Sequence, residues 1–129
     1  MNSRHVHQGS QGFTLTELLV VISILGLLAS AFMPNLLAAR RQSSEGATVA
    51  YLRHCVTAVE VTRDSVSQEL PQVTSCEDPV LGEARLPRPT SVGRTSVNVD
   101  DTRDGYLITV TSVTGKVFRH DGSTVLAGN

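Results

Sequence analysis

A single carboxylate at the mouth of an otherwise apolar run is the residue in this chain most able to do chemistry. Gly12-Phe13-Thr14-Leu15-Thr16-Glu17 leads into a stretch from Leu18 to Ala39 that contains no charged residue. An acid at membrane depth costs about 2.5 to 3.5 kcal/mol on insertion scales, and less near the interface. Glu17 therefore reads as functional and requires a cationic partner. If the chain were cut before Phe13, the new amine would lie one helical turn from Glu17. That amine belongs to the same helix end, which already favours an acid through its dipole. The ammonium of a neighbouring copy is the physical candidate.

Cys55 and Cys76 form the second pair. In an oxidising compartment such a pair favours a disulfide, and closing the loop between them would contribute roughly 3 kcal/mol on the chain-entropy model. The alternative is two buried thiols, and neither arrangement implies redox chemistry. Histidines and cysteines are too few and too scattered for a zinc framework. Asp100, Asp101 and Asp104 lack the turn glycine of an EF-type calcium loop, and Arg103 intrudes. No metal or cofactor is expected. Ser, His and Asp are present, but no sequence context groups them as nucleophile, base and orienter, so the chain is not expected to be an enzyme.

The elements that position these residues follow from hydrophobic patterning. As a helix the uncharged run would be about 33 Å long, enough to cross a hydrocarbon core of about 30 Å. Residues 13–39 are thus expected to be a membrane-spanning helix. Residues 1–12 look like a removable leader, although an ordinary secretory signal is cut after its apolar region rather than before it. Within the run, Gly26 and Pro34 are weak points. Proline removes a backbone hydrogen bond at a cost of about 3 kcal/mol, and glycine adds up to about 1 kcal/mol relative to alanine. The segment between them is expected either to kink or to melt.

From Arg40 the pattern becomes amphipathic. Leu52, Cys55, Val56, Val59 and Val66 share one face, while Arg53, Thr57, Glu60 and Asp64 share the other; Val61 and Arg63 interrupt the stripe. The helix is expected to stop at Pro71, giving an amphipathic segment over 40–70. A Pro-, Gly- and charge-rich loop over 71–89 follows. Short alternating runs at 96–100, 106–112, 116–120 and 123–126 predict an antiparallel sheet over 96–126, with Asp121-Gly122 as a two-residue hairpin signal. Val97, Val99, Leu107, Val117, Phe118 and Val125 are the residues expected to pack on the helix, with strand parity left open. The fold class is α+β: a long N-terminal helix packed on a small C-terminal sheet, with residues 40–129 as a globular head.

Gly12 before Phe13, Glu17 as the fifth residue after that junction, Leu18-Leu19-Val20-Val21-Ile22 next, then Gly26 and Pro34, together resemble the amino-terminal signature of type IV pilins of the type a subclass. The resemblance covers about the first third of the chain. It implies cleavage between Gly12 and Phe13 by a membrane peptidase that also methylates the Phe13 amine. It further implies assembly through Glu17 and Phe13 of neighbouring copies, and a Gly26 to Pro34 segment that extends in the filament. The implied partners are the peptidase/methyltransferase, further copies of the chain in a homo-oligomeric helical filament, the membrane before assembly, and, indirectly, an assembly platform with its ATPases. The implied location is the inner membrane as a precursor and then an extracellular pilus. A pilus subunit would serve adhesion, twitching motility or DNA uptake. The alternatives are a pseudopilin of a type II secretion system, which would stay periplasmic, and a minor priming pilin. Arg40 and Arg41 after the span outnumber Arg4 before it, an orientation signal opposite to the cytoplasmic leader that the resemblance implies. They are read as headgroup anchors or as partners of acids on adjacent subunits.

The formal net charge is −1 over 129 residues. No basic field indicates nucleic-acid binding. Aromatic residues make up 4% of the chain, which argues against a conductive aromatic stack.

Overall fold

A computed structural model describes residues 12–128, so the expected leader over residues 1–12 lies, except for Gly12, outside the described residues. Helix α1 spans Leu15–Val61 and runs through both Gly26 and Pro34. Contacts divide the chain into one compact unit ending at Ala38 and another beginning at Ala39.

In the first unit the helix is apolar on every side and exposed throughout. Its few polar groups are satisfied within the helix: the Ser23 hydroxyl donates to the Leu19 carbonyl (2.8 Å) and the Ser30 hydroxyl to the Leu27 carbonyl (2.7 Å). A bilayer core, which offers no water to unpaired polar groups, demands such internal pairing.

In the second unit the stripe predicted from spacing becomes the helical side of a core. Thr48, Tyr51, Leu52, Cys55, Ala58 and Val59 are buried. They face a four-stranded antiparallel sheet of order β1-β2-β3-β4, formed by β1 (Val92–Val99), β2 (Tyr106–Ser112), β3 (Val117–His120) and β4 (Val125–Gly128). Leu52, Val59, Ile108 and Val110 are fully enclosed; burying an aliphatic side chain of this size contributes about 1.5 to 3 kcal/mol.

The helix ends at Val61, not near Pro71. Asp64 captures the next backbone groups, its Oδ1 accepting from the N–H of Val66 (2.8 Å) and of Ser67 (2.7 Å), which offers the chain an alternative to another helical turn. Gln68 then takes a positive φ of 60°. Val66, expected on the buried stripe, is 91% exposed. Arg63, which interrupts the apolar stripe, organises this end. Its guanidinium donates to Glu60 Oε2 (2.9 Å), the Gln68 carbonyl (2.8 Å) and the Asp104 carbonyl (3.2 Å).

The 71–89 segment is anchored by buried Val73, Cys76 and Leu81. It contains a 3-10 turn over Pro79–Ala84, which Asp78 caps by accepting from the Val80 N–H. β1 begins at Val92, four residues before the expected start, because a bulge between Val92 and Arg94 shifts the alternation. Val92 and Val97 both point inward despite their opposite parity, as an extra residue in one strand requires.

Leu107, expected to pack on the helix, is instead 42% exposed, and β2 buries Tyr106, Ile108, Val110 and Ser112. Ile108 lies opposite Val97, and Tyr106 opposite Val99, so all four share the core face. The turn at Asp121-Gly122 is also longer than expected. His120 pairs with Val125, leaving Asp121 to Thr124 as a four-residue loop. Asp121 Oδ1 accepts from the Ser123 N–H (3.0 Å), the Ser123 hydroxyl (2.9 Å) and the Thr124 N–H (3.0 Å), and Gly122 supplies φ 93°.

Candidate functional site

Thr14 precedes the first helical residue, and its side chain and that of Glu17 cap the helix reciprocally. The Thr14 N–H and hydroxyl both donate to Glu17 Oε2, at 2.9 and 2.7 Å, while the Glu17 N–H donates to Thr14 Oγ1 at 3.2 Å. This is a capping box: it satisfies otherwise orphaned amide groups and pins the carboxylate at the helix mouth. Its sequence signal is Thr14-x-x-Glu17. One carboxylate oxygen is committed to the cap; the other has no protein donor among the described residues.

Gly12 and Phe13 lie outside the helix and are exposed, Phe13 at 80%. Further along, Gly26, Ala29, Ser30, Met33, Pro34 and Leu37 line a shallow groove on the helix. Pro34 has no N–H to give the carbonyl of Ser30, yet the helix continues past it.

In the second unit, Cys55 and Cys76 are joined by a disulfide and are fully buried. The bridge fastens the long connection between α1 and β1 to the buried face of the helix. Asp100 closes the β1–β2 turn. Its Oδ1 accepts from the Thr102 hydroxyl (2.8 Å) and the Asp104 N–H (3.1 Å), and its Oδ2 from the Gly105 N–H (3.1 Å). These bonds, led by that of Thr102, hold its carboxyl below the usual aspartate range. Arg40 and Arg41 are exposed. Arg41 shares a cleft with Glu45, Thr114 and Lys116, where Lys116 Nζ lies 2.9 Å from Glu45 Oε2. His54 is exposed on α1.

The arrangement contains a pinned carboxylate, an exposed apolar helix and a disulfide-tied head, and comparison with known proteins places it. Residues 44–128 match the Pilin A4 family and residues 8–33 match the prokaryotic N-terminal methylation motif. The chain belongs to the Pilin A4 family of type IV pilins, and its long N-terminal helix, packed through its second half on a four-stranded antiparallel sheet, is the pilin fold.

Among individual proteins, it is 44% identical over 54 residues to the type IV wide pilus major component PilA4 of Thermus thermophilus. That match spans 42% of this chain and 41% of the relative's length. The solved TTHA1221 type IV pilin protein from Thermus thermophilus superposes with a TM-score of 0.54 at 24% identity, covering 67% of this chain and 99% of that one.

Proposed function

We propose that this chain is a structural subunit of a type IV pilus. It is made as an inner-membrane precursor, cut between Gly12 and Phe13, methylated on the Phe13 amine, and polymerised through α1 into a surface filament. The observation that carries the reading is the coincidence of the methylation motif over residues 8–33 with a first half of α1 that is apolar and exposed on every side. Such a surface must be covered, first by lipid and then by the helices of other copies. The name of the Thermus relative, a wide pilus major component, favours an abundant subunit over a rare one.

Glu17 has a defined part in this process. In the free subunit its carboxylate is held by Thr14 at the helix mouth, where the helix dipole already supports a negative charge. The uncommitted oxygen accepts the Phe13 ammonium of an adjacent copy, which neutralises both charges in an apolar surrounding and sets the axial register. An unpaired charge there is costly, so a subunit out of register is rejected. The role is mechanical, with any energy for extension supplied by cytoplasmic ATPases. Adhesion, twitching motility and DNA uptake are the outputs open to such a fibre.

Intact mass of the protein in filaments sheared from cells, with and without reduction, tests the reading. A chain beginning at Phe13 with one added methyl, gaining the mass of two hydrogens on reduction, is the expected result. A processed chain confined to the membrane would indicate a pseudopilin, and an uncut chain that keeps residues before Phe13 would overturn the reading as a processed filament subunit.

A further inference from the structure

The second unit is electrically polar along α1. At one end, the last turn of α1, the segment after it and the β1–β2 turn gather Glu60, Asp64, Glu69, Asp100, Asp101 and Asp104. The cations among them are tied internally: Arg63 to Glu60 at 2.9 Å and Asp104 at 3.5 Å, and Arg103 to Glu69 at 3.4 Å. Asp121, from the β3–β4 loop, extends the same surface. With Asn98, Asp100 and Tyr106 it lines an open groove of about 340 Å³. Tyr106 is 7% exposed, and its hydroxyl has no partner at hydrogen-bond geometry among the described residues. Carboxylates outnumber guanidinium groups severalfold at this end.

The opposite end has the opposite sign. Arg40 and Arg41 are exposed and pair with no carboxylate among the described residues. Lys116 stands beside Arg41, with Glu45 as the one acid in that cleft. At 1.5 Å per residue, Arg41 and Glu60 lie about 28 Å apart along the helix, so the two ends do not neutralise each other within one head. The whole-chain charge of −1 conceals the separation.

Two different, complementary patches on one chain form a heterologous interface, and a heterologous interface that does not close generates an open helical assembly. Opposite charges across such a contact set its orientation and reject the reversed one. Arginine suits the role, since its planar donors match carboxylates in pairs. We propose that the acidic end of one head, around Asp101 and Asp104, receives Arg40 and Arg41 of a second copy. This contact is separate from the Glu17 to Phe13 pairing. It keys head to head where that pairing registers helix to helix. The inference rests on the pilus reading above.

A full-length chain carrying both Arg41→Cys and Asp101→Cys tests it directly, because the native cysteines are occupied in their own disulfide. A short bismaleimide applied to sheared filaments should produce a ladder of covalent multimers from the double variant and none from either single one; the separation within one head is too long for the linker. In parallel, Arg40→Glu with Arg41→Glu, and separately Asp101→Lys with Asp104→Lys, should each lower filament yield at least tenfold at unchanged precursor level. Combining all four should restore most of the yield. Processed, filament-borne chains that give no ladder, or a combined variant no better than its parents, would overturn the proposal. So would a charge reversal at Arg40 and Arg41 that acts by reducing inserted precursor, because those residues would then be headgroup anchors only. Absence of the unsubstituted chain from filaments would instead overturn the pilus reading itself.

Discussion

Asp121 illustrates how much a single exposed carboxylate does in this head. The N–H groups of Thr124 and Ser123, followed by the Ser123 hydroxyl, lower its pKa to about 2 from an ordinary 3.8. The folded state thus holds fewer protons than the unfolded one in this window, and stability contributed by the ionised loop is present above pH 4 and lost as pH falls towards 2. Asp64 and Asp78, each bonded to nearby backbone N–H groups, shift in the same direction. Thermal melts between pH 5 and pH 2 should show a falling Tm, with a shallower slope for Asp121→Asn, which keeps a capping oxygen but cannot ionise. An unchanged slope would mean that the loop does not contribute to acid sensitivity.

At the scale of elements, the long connection between α1 and β1 is the part least able to hold itself in place. It has no strand of its own and buries few side chains, chiefly Leu70, Val73, Cys76 and Leu81. Backbone bonds from the Leu70 N–H to the Arg103 carbonyl (2.8 Å) and from the Val97 N–H to the Thr74 carbonyl (2.9 Å) help to secure it, as does the Cys55–Cys76 bridge. Replacing both cysteines by alanine should cost roughly 3 kcal/mol, the value for a loop of this size. The check is denaturant unfolding of the full chain in detergent. The expected protease-sensitive segment lies between Thr62 and Ser91, while the sheet stays resistant until global unfolding. A loss below about 1 kcal/mol would mean that the buried side chains alone position the connection.

For the molecule as a whole, the decisive prediction concerns Glu17. Glu17→Ala removes both the cap acceptor and the proposed partner of a neighbour's amine. Helix capping alone is worth about 1 kcal/mol, too little to expel a span this apolar from a membrane. Insertion and leader removal should therefore be normal, with filament yield reduced at least tenfold. Thr14→Ala separates the two roles: it loses the cap while keeping the carboxylate, so it should retain most of the yield. Equal loss in both variants would assign Glu17 to helix capping rather than to subunit pairing.

Local order along the chain was enough to reveal the apolar span, the lone acid, the amphipathic switch after Arg40 and the alternating strands. Each is a periodicity or a charge placement, and such patterns survive without knowledge of distant contacts. The capping box was also legible in Thr14 and Glu17. Other features depended on residues far apart in the chain. The helix stops at Val61 because Asp64, Gln68 and the Arg63 clamp compete for its last turn, one arm of that clamp reaching Asp104. β2 buries Tyr106 and Ile108 rather than Leu107 because Val99 and Val97 lie opposite them, and a bulge in β1 sets that face. The separation of acid from base along the head arises because turns distant in sequence meet at one end of a helix. Periodicity carries no information about which turns will meet, and the packed fold alone supplies it.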